Sequence, residues 1–148
     1  MKERFRTFTY LISSLSRYIR KIKTEEVVEY DLKSPHVSCL YYVQKIDRIT
    51  AKELCDICGE DKGAISRSLE YLESKGLIKN DVVEGKKYKT PLVLTEKGNE
   101  VATALSAKID RALDEAGEGL SEEDRQVMYR SLETINSNLK KICEKYAV

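Results

Sequence analysis

A mainly α-helical chain carrying one small β-hairpin is the fold class predicted by this sequence of 148 residues. Three features predict it. Apolar residues recur every three or four positions at both ends, two short and sharply punctuated helical segments follow one another in the middle, and a switch to period-two alternation comes directly after them. Composition agrees: 41% hydrophobic and 34% charged residues with only two prolines describe a folded, helix-leaning chain rather than a disordered one. Polar residues break every apolar run well short of the roughly 18 needed to span a bilayer. The basic start of the chain does not read as a signal peptide, so a cytoplasmic protein is expected.

The elements follow in order. Phe5, Phe8, Ile12, Leu15, Ile19 and Ile22 alternate spacings of three and four, an a/d seam on a first helix. Pro35 starts a second helix through Val37, Leu40, Val43 and Ile46. Thr50-Ala51-Lys52-Glu53 is a capping box that opens a third, and Gly59 is placed to end it. Asp61 serves as N-cap for a fourth that runs to Gly76. Two helices joined by so short a turn make a helix-turn-helix. Leu77-Ile78, Val82-Val83, Tyr88, Thr90, Leu92 and Leu94 then form a hairpin about the polar turn Glu84-Gly85-Lys86-Lys87. Pro91 has no N–H to give a ladder, so its strand should be an edge there. Val101, Leu105, Ile109 and Ala112 mark another helix, closed between Gly117 and Gly119. Ser121, followed by three acids, caps a last one whose seam is Met128, Leu132, Ile135, Leu139, Ile142 and Tyr146. Such seams can pack within one subunit, but stripes at both ends of a compact middle fit an intersubunit bundle better. Residues 1–34 and 95–148 are therefore expected to dimerise and residues 35–94 to form a separate winged helix-turn-helix lobe.

A net charge of +1 argues for nucleic-acid binding only if it is unevenly spread, and it is. Residues 1–24 hold seven Lys/Arg against one acid and residues 61–90 seven against five, whereas residues 25–60 hold four against eight and residues 91–148 eight against eleven. Basic character thus gathers in the first helix and the central third, compatible with a local phosphate-facing surface.

The run ITAKELCDICGEDKGAISRSLEYLESKGLIKN, followed by a hairpin and then LVLTEKG, is similar to the central region of MarR-family regulators. The likeness is densest over residues 49–98, and the order of flanking helices carries it over nearly the whole chain. It implies a homodimer whose two winged lobes hang from a bundle of both chain ends and bind double-stranded DNA. The usual role is repression, relieved by a small phenolic or other lipophilic effector, by thiol oxidation or by a metal. One departure stands out: counting back from Leu94-Thr95, Lys86 and Lys87 occupy the places where the family's wing commonly carries Asp-Arg. Lysine tracks phosphate as a point charge without the planar fork of arginine.

With Ile65, Leu69 and Leu72 as the buried stripe of the fourth helix, the 100° step puts Gly63, Arg67, Glu70 and Ser74 on the opposite face, flanked by Ser66 and Tyr71. The first half of such a helix reaches base edges in the major groove, where Arg67 can bind guanine O6 and N7 together. The expected DNA-contacting set is Lys62, Gly63, Ser66, Arg67, Tyr71 and Ser74 on the helix, with Lys86, Lys87 and Lys89 on the hairpin neutralising phosphates. Gly63 is either a site of close backbone approach or simply a weak helix residue.

Four cysteines without a secretion signal point to reduced thiols. Cys55 and Cys58 lack the second ligand pair that a structural zinc needs, and are read as buried, inert core thiols. Cys39, near a helix start where the dipole can lower its pKa, is the candidate for a thiol-sensing regulator. His36 follows Pro35 and has no catalytic partner fixed by spacing; a capping or phosphate-side role is expected. No phosphate loop or nucleophile elbow is present, so neither an enzyme nor a cofactor is expected. A thiol oxidoreductase built on Cys55 and Cys58 would need alternating strands and helices that the sequence lacks. A winged-helix module that binds protein instead of DNA stays open.

Overall fold

The computed structural model describes residues 3–81 and 90–146, the side chain of Phe5 excepted. Among these residues are six helices and one antiparallel pair of strands: α1 (Arg4–Glu25), a 3-10 turn (Val28–Tyr30), α2 (Ser34–Lys45), α3 (Ala51–Cys58), α4 (Lys62–Ser74), β1 (Ile78–Asn80), β2 (Leu92–Leu94), α5 (Glu96–Ala116) and α6 (Glu122–Glu144). None of the described helices is long and apolar enough to cross a membrane. The chain forms two compact units, residues 1–111 and 112–148.

Local chemistry sets the helix starts. In α3 the Thr50 hydroxyl accepts from the Glu53 amide at 3.3 Å while the Glu53 carboxylate accepts from the Thr50 amide at 2.8 Å. Asp61 Oδ1 accepts from the Ala64 amide at 2.8 Å, opening α4. At α6 the Ser121 hydroxyl accepts from the Asp124 amide at 3.1 Å. Each cap satisfies N–H groups that have no partner within the helix. Gly59, at φ 63°, turns the chain out of α3 at little steric cost. At α2 the reading from sequence is off by one residue: the helix stops at Lys45, and Ile46 is extended and exposed. At the start of α2 the N-cap is Lys33, and His36 in the first turn reaches back, its Nδ1 accepting from the Lys33 amide at 3.0 Å.

The core of the first unit gathers one stripe from each element: Leu40 and Val43 of α2, Leu54 of α3, Ile65 and Leu72 of α4, Ile78 and Leu92 of the strands, Ala102 and Leu105 of α5. The strands pair Ile78 with Leu94 and Asn80 with Leu92. The outer side of β2 is not an open edge at Leu92, because its amide donates to the Ile49 carbonyl at 2.8 Å. The segment before α3 does the covering that the proline argument left to solvent.

α5 is seated on the turn after α4 by backbone. The Thr95 amide donates to the Leu77 carbonyl at 3.1 Å, the Thr95 hydroxyl donates to the Gly76 carbonyl at 2.6 Å, and the Gly98 amide donates to that hydroxyl at 3.0 Å. A Cβ at Gly98 would lie 1.8 Å from the Leu77 carbonyl oxygen. Only glycine permits this approach.

Most of the described seam residues of the terminal helices stay open in the single chain, Ile135 being half-buried. Phe8, Ile12, Leu15, Ile19 and Ile22 of α1 are exposed, Leu15 at 54%, and α6 buries no residue at all, with Leu132 at 38% and Leu139 at 47%.

Candidate nucleic-acid interface

α3 and α4 are joined by Gly59, Glu60 and Asp61 and pack together through Leu54 and Ile65. This is the helix-turn-helix expected from the spacing. Along α4 the buried residues are Ile65, Ser68 and Leu72, with Leu69 only partly covered. The inward face is therefore rotated slightly towards Ser68 from the stripe expected.

On the outward face Lys62, Gly63, Ser66, Arg67, Glu70 and Ser74 are all exposed. The guanidinium of Arg67 lies back over Gly63, where an added Cβ would meet Arg67 Nη1 at 3.3 Å and Asp61 Oδ1 at 3.2 Å. Gly63 thus leaves the first turn clear for the arginine. Ser66 donates to Glu70 Oε1 at 3.4 Å, and Ser74 donates to the Tyr71 carbonyl at 2.7 Å. The hairpin residues Lys86, Lys87 and Lys89 lie outside the described residues, as do Val82, Val83, Gly85 and Tyr88.

Tyr71 differs from the rest of the set. It is half-buried, its ring stacks on His36 with centroids 4.5 Å apart, and its hydroxyl lies 2.7 Å from the Asp31 carbonyl oxygen and 2.9 Å from Asp31 Oδ2. Lys75 Nζ approaches the same Asp31 oxygen at 2.7 Å. The ammonium of Lys75 first, and the Tyr71 hydroxyl second, hold the Asp31 carboxyl below the ordinary carboxylate range. Burial, and then the nearby Lys33, push His36 down towards the neutral form that its capping bond requires. This cluster fastens the second half of α4 to the start of α2. Forty residues separate Tyr71 from Asp31, so no local pattern could have shown it.

The thiols are arranged otherwise than expected. Cys39 is completely buried, five residues into α2 rather than at its mouth. A hydrogen bond with Cys58, reinforced by burial, pushes its thiol up, which overturns the reading of Cys39 as a dipole-activated sensor. Cys55 and Cys58 are only partly buried, correcting the picture of two fully enclosed core thiols.

Residues 30–85 match the MarR family. No curated protein matches the chain. Among solved structures, a MarR transcriptional regulator from Methanosarcina mazei Go1 is 23% identical, covering 93% of this chain and 99% of its own, with a TM-score of 0.82. A MarR-family regulator from Listeria monocytogenes complexed with 26mer DNA is 23% identical over 88% of this chain and 87% of its own, at 0.83. Staphylococcus aureus MarR in complex with salicylate and kanamycin is 18% identical over 95% of this chain and 96% of its own, at 0.78.

Proposed function

We propose that this chain, whose residues 30–85 are of the MarR family and whose described fold is that of solved MarR regulators, is a DNA-binding transcriptional regulator acting through α4. The observation that carries the reading is the two-sidedness of α4. One face is locked into the core by Ile65, Ser68 and Leu72, and the other presents Lys62, Gly63, Ser66, Arg67 and Ser74 to solvent. Arg67 reads a base edge or grips a phosphate, Ser66 donates beside it, and Gly63 lets the helix approach closely. Lys62 and the hairpin lysines Lys86, Lys87 and Lys89 neutralise phosphates without reading sequence. Tyr71, with its hydroxyl held by Asp31, orients α4 more than it reads DNA.

The working species is a homodimer. The exposed stripes of α1 and of α6 are each longer than a soluble monomer leaves open, and burying them against a second copy removes that liability. Residues 1–34 and 95–148 form the dimerisation part and residues 35–94 the DNA-binding part. Two copies of α4 related by a twofold then enter successive major grooves about 34–36 Å apart, so the operator is pseudo-palindromic. Repression is the role the fold supports, in the cytoplasm, with no enzymatic chemistry. A groove of about 750 Å³ in the first unit, lined by Ile12, Leu15 and Ile19 together with Arg20, Lys23 and Lys33 and one acid, Glu60, suits a small anionic effector with an apolar body. The test is selection of the duplex fragments that the purified protein retains, followed by anisotropy titrations at several salt concentrations. Binding that prefers no fragment over scrambled DNA, or no binding at low salt, would sink this reading.

A further inference from the structure

The outward face of α4 carries a carboxylate near its centre. Glu70 is exposed. At 100° per residue its position lies within about 15° of the direction opposite the buried Ile65, Ser68 and Leu72, and Gly63, seven residues earlier, falls on almost the same line. Arg67 stands about 60° to one side of it and Ser66 about 40° to the other. Ser66 donates to Glu70 Oε1 across one turn at 3.4 Å, and no ion pair among the described residues engages the carboxylate. We propose, on the reading of α4 as the helix that enters the major groove, that Glu70 selects cytosine: its carboxylate accepts from the exocyclic N4 amine of one cytosine in each half-site, in the base pair next to the one that Arg67 faces.

Charge and donor chemistry select the base. A carboxylate near the middle of a face that approaches a polyanion opposes every duplex alike unless a donor meets it, because an ionised carboxylate accepts hydrogen bonds and gives none. The donors on the floor of the major groove are the cytosine N4 and adenine N6 amines. Adenine N6 stands beside that base's own N7, an acceptor that repels a carboxylate, whereas cytosine N4 has only the C5 position beside it. Guanine N7 and O6 and thymine O4 are acceptors and repel it outright. The position along the helix fixes the base pair. Glu70 comes three residues after Arg67, about 4.5 Å farther along the axis, close to the roughly 3.4 Å between successive base pairs. The missing side chain at Gly63, on the same line, lets the helix settle far enough for the carboxylate to reach the groove floor. Glu73, the other exposed acid of α4, lies about 75° from the centre of the face, at its margin. Sequences without the cytosine meet an uncompensated negative charge, so Glu70 adds selectivity chiefly by weakening the wrong ones.

Selection from a randomised duplex library, run on the full-length parent and on Glu70→Ala, Glu70→Gln and Glu70→Asp, tests this, followed by anisotropy titration on selected and scrambled duplexes. Glu70 is exposed, so the variants should keep the parent's far-UV circular dichroism. The parent should select one cytosine per half-site whose replacement by thymine weakens its binding by about five- to tenfold, the lower end for a base contact. Glu70→Ala should lose that discrimination and bind scrambled duplex more tightly than the parent does. Glu70→Asp keeps the charge on a shorter arm, so it should lose the cytosine preference without tightening on scrambled DNA. Glu70→Gln should shift the preferred base at the same position to adenine, whose N6 and N7 an amide meets together. Base preferences unchanged in all three variants, beside a relaxed preference in Arg67→Ala, would leave α4 as the reading helix and overturn the role of Glu70. Variants that alter affinity for every duplex equally would reveal a bare negative charge and overturn it too. A parent that retains no duplex removes the reading of α4 and this one together.

Discussion

Gly98→Ala separates packing from propensity, because the two give opposite signs. By helix propensity alone an alanine in α5 stabilises by about 0.5–1 kcal/mol. The added Cβ, however, would lie 1.8 Å from the Leu77 carbonyl oxygen. Ordinary C···O contact is about 3.3 Å, so the first turn of α5 must back away by roughly 1.5 Å. That displacement breaks the bonds from the Thr95 amide to Leu77 and from the Thr95 hydroxyl to Gly76. Overpacking of this kind costs about 1–3 kcal/mol, and each broken hydrogen bond adds about 1 kcal/mol. Net of the propensity gain, the variant should be less stable by roughly 2–4 kcal/mol, with Tm lower by about 5–15 °C. Gly63→Ala is the control. Its Cβ would meet Arg67 Nη1 at 3.3 Å and the cap oxygen Asp61 Oδ1 at 3.2 Å, contacts that need a shift of only a few tenths of an ångström, so its stability should stay within about 1 kcal/mol of the parent. Urea unfolding followed by far-UV circular dichroism measures both. Should Gly98→Ala match or exceed the parent in midpoint at equal slope, the close approach of α5 to Leu77 does not exist in solution.

Other outcomes follow from the interface and the stripes. Arg67→Ala should weaken binding by roughly 1–3 kcal/mol for each base edge it reads and lower the ratio of specific to scrambled affinity; a ratio left unchanged makes Arg67 a phosphate anchor. Lys87→Ala should instead weaken binding to all duplexes alike and reduce the salt slope by about one unit for each phosphate no longer neutralised, read in the same titration. Leu132→Lys with Leu139→Lys should yield monomer or insoluble protein, and sedimentation showing the parent chain to be monomeric at micromolar concentration would end the dimer reading. The Asp31 carboxyl is held low in the folded state by Lys75 and then Tyr71. Its contribution is therefore present above the ordinary carboxylate pKa, about 3.9, and is lost as pH falls through the lower folded value. Asp31→Asn should flatten that acid limb of the stability curve while leaving the neutral-to-alkaline limb in place; an unaltered acid limb would show the cluster to be loose in solution.

What the sequence made legible was local. Thr50 with Glu53, Asp61 and Ser121 announce helix starts because a cap and its acceptor lie three residues apart, and Gly59 announces an end because few other residues turn left-handed cheaply. The outward face of α4 was equally readable, being the complement of its apolar stripe. What escaped joins distant residues. Ser68 faces the core but carries no apolar signal, and Tyr71 looks like a flank residue until Asp31 and His36 arrive from another segment. Cys39 sits near a helix start in sequence, yet its chemistry is decided by Cys58 on a different helix. The glycine of Leu-Thr-Glu-Lys-Gly could be recognised as part of a pattern, but its cause, the Leu77 carbonyl, appears only when the backbones are placed.

α6 carries a last consequence, one of amount rather than of geometry. It is 23 residues long, begins at a good cap, and buries none of them within its own chain. A helix held mainly by its cap and its own hydrogen bonds, with one ion pair from Arg125 to Asp114, gains much of its stability from burying its apolar stripe, so its order depends by mass action on what covers that stripe. Where that cover is a second copy, dilution melts it and copy number sustains it. Halving expression of such a chain removes more than half of its assembled form, so a substitution that merely speeds its turnover lowers the assembled form more than in proportion.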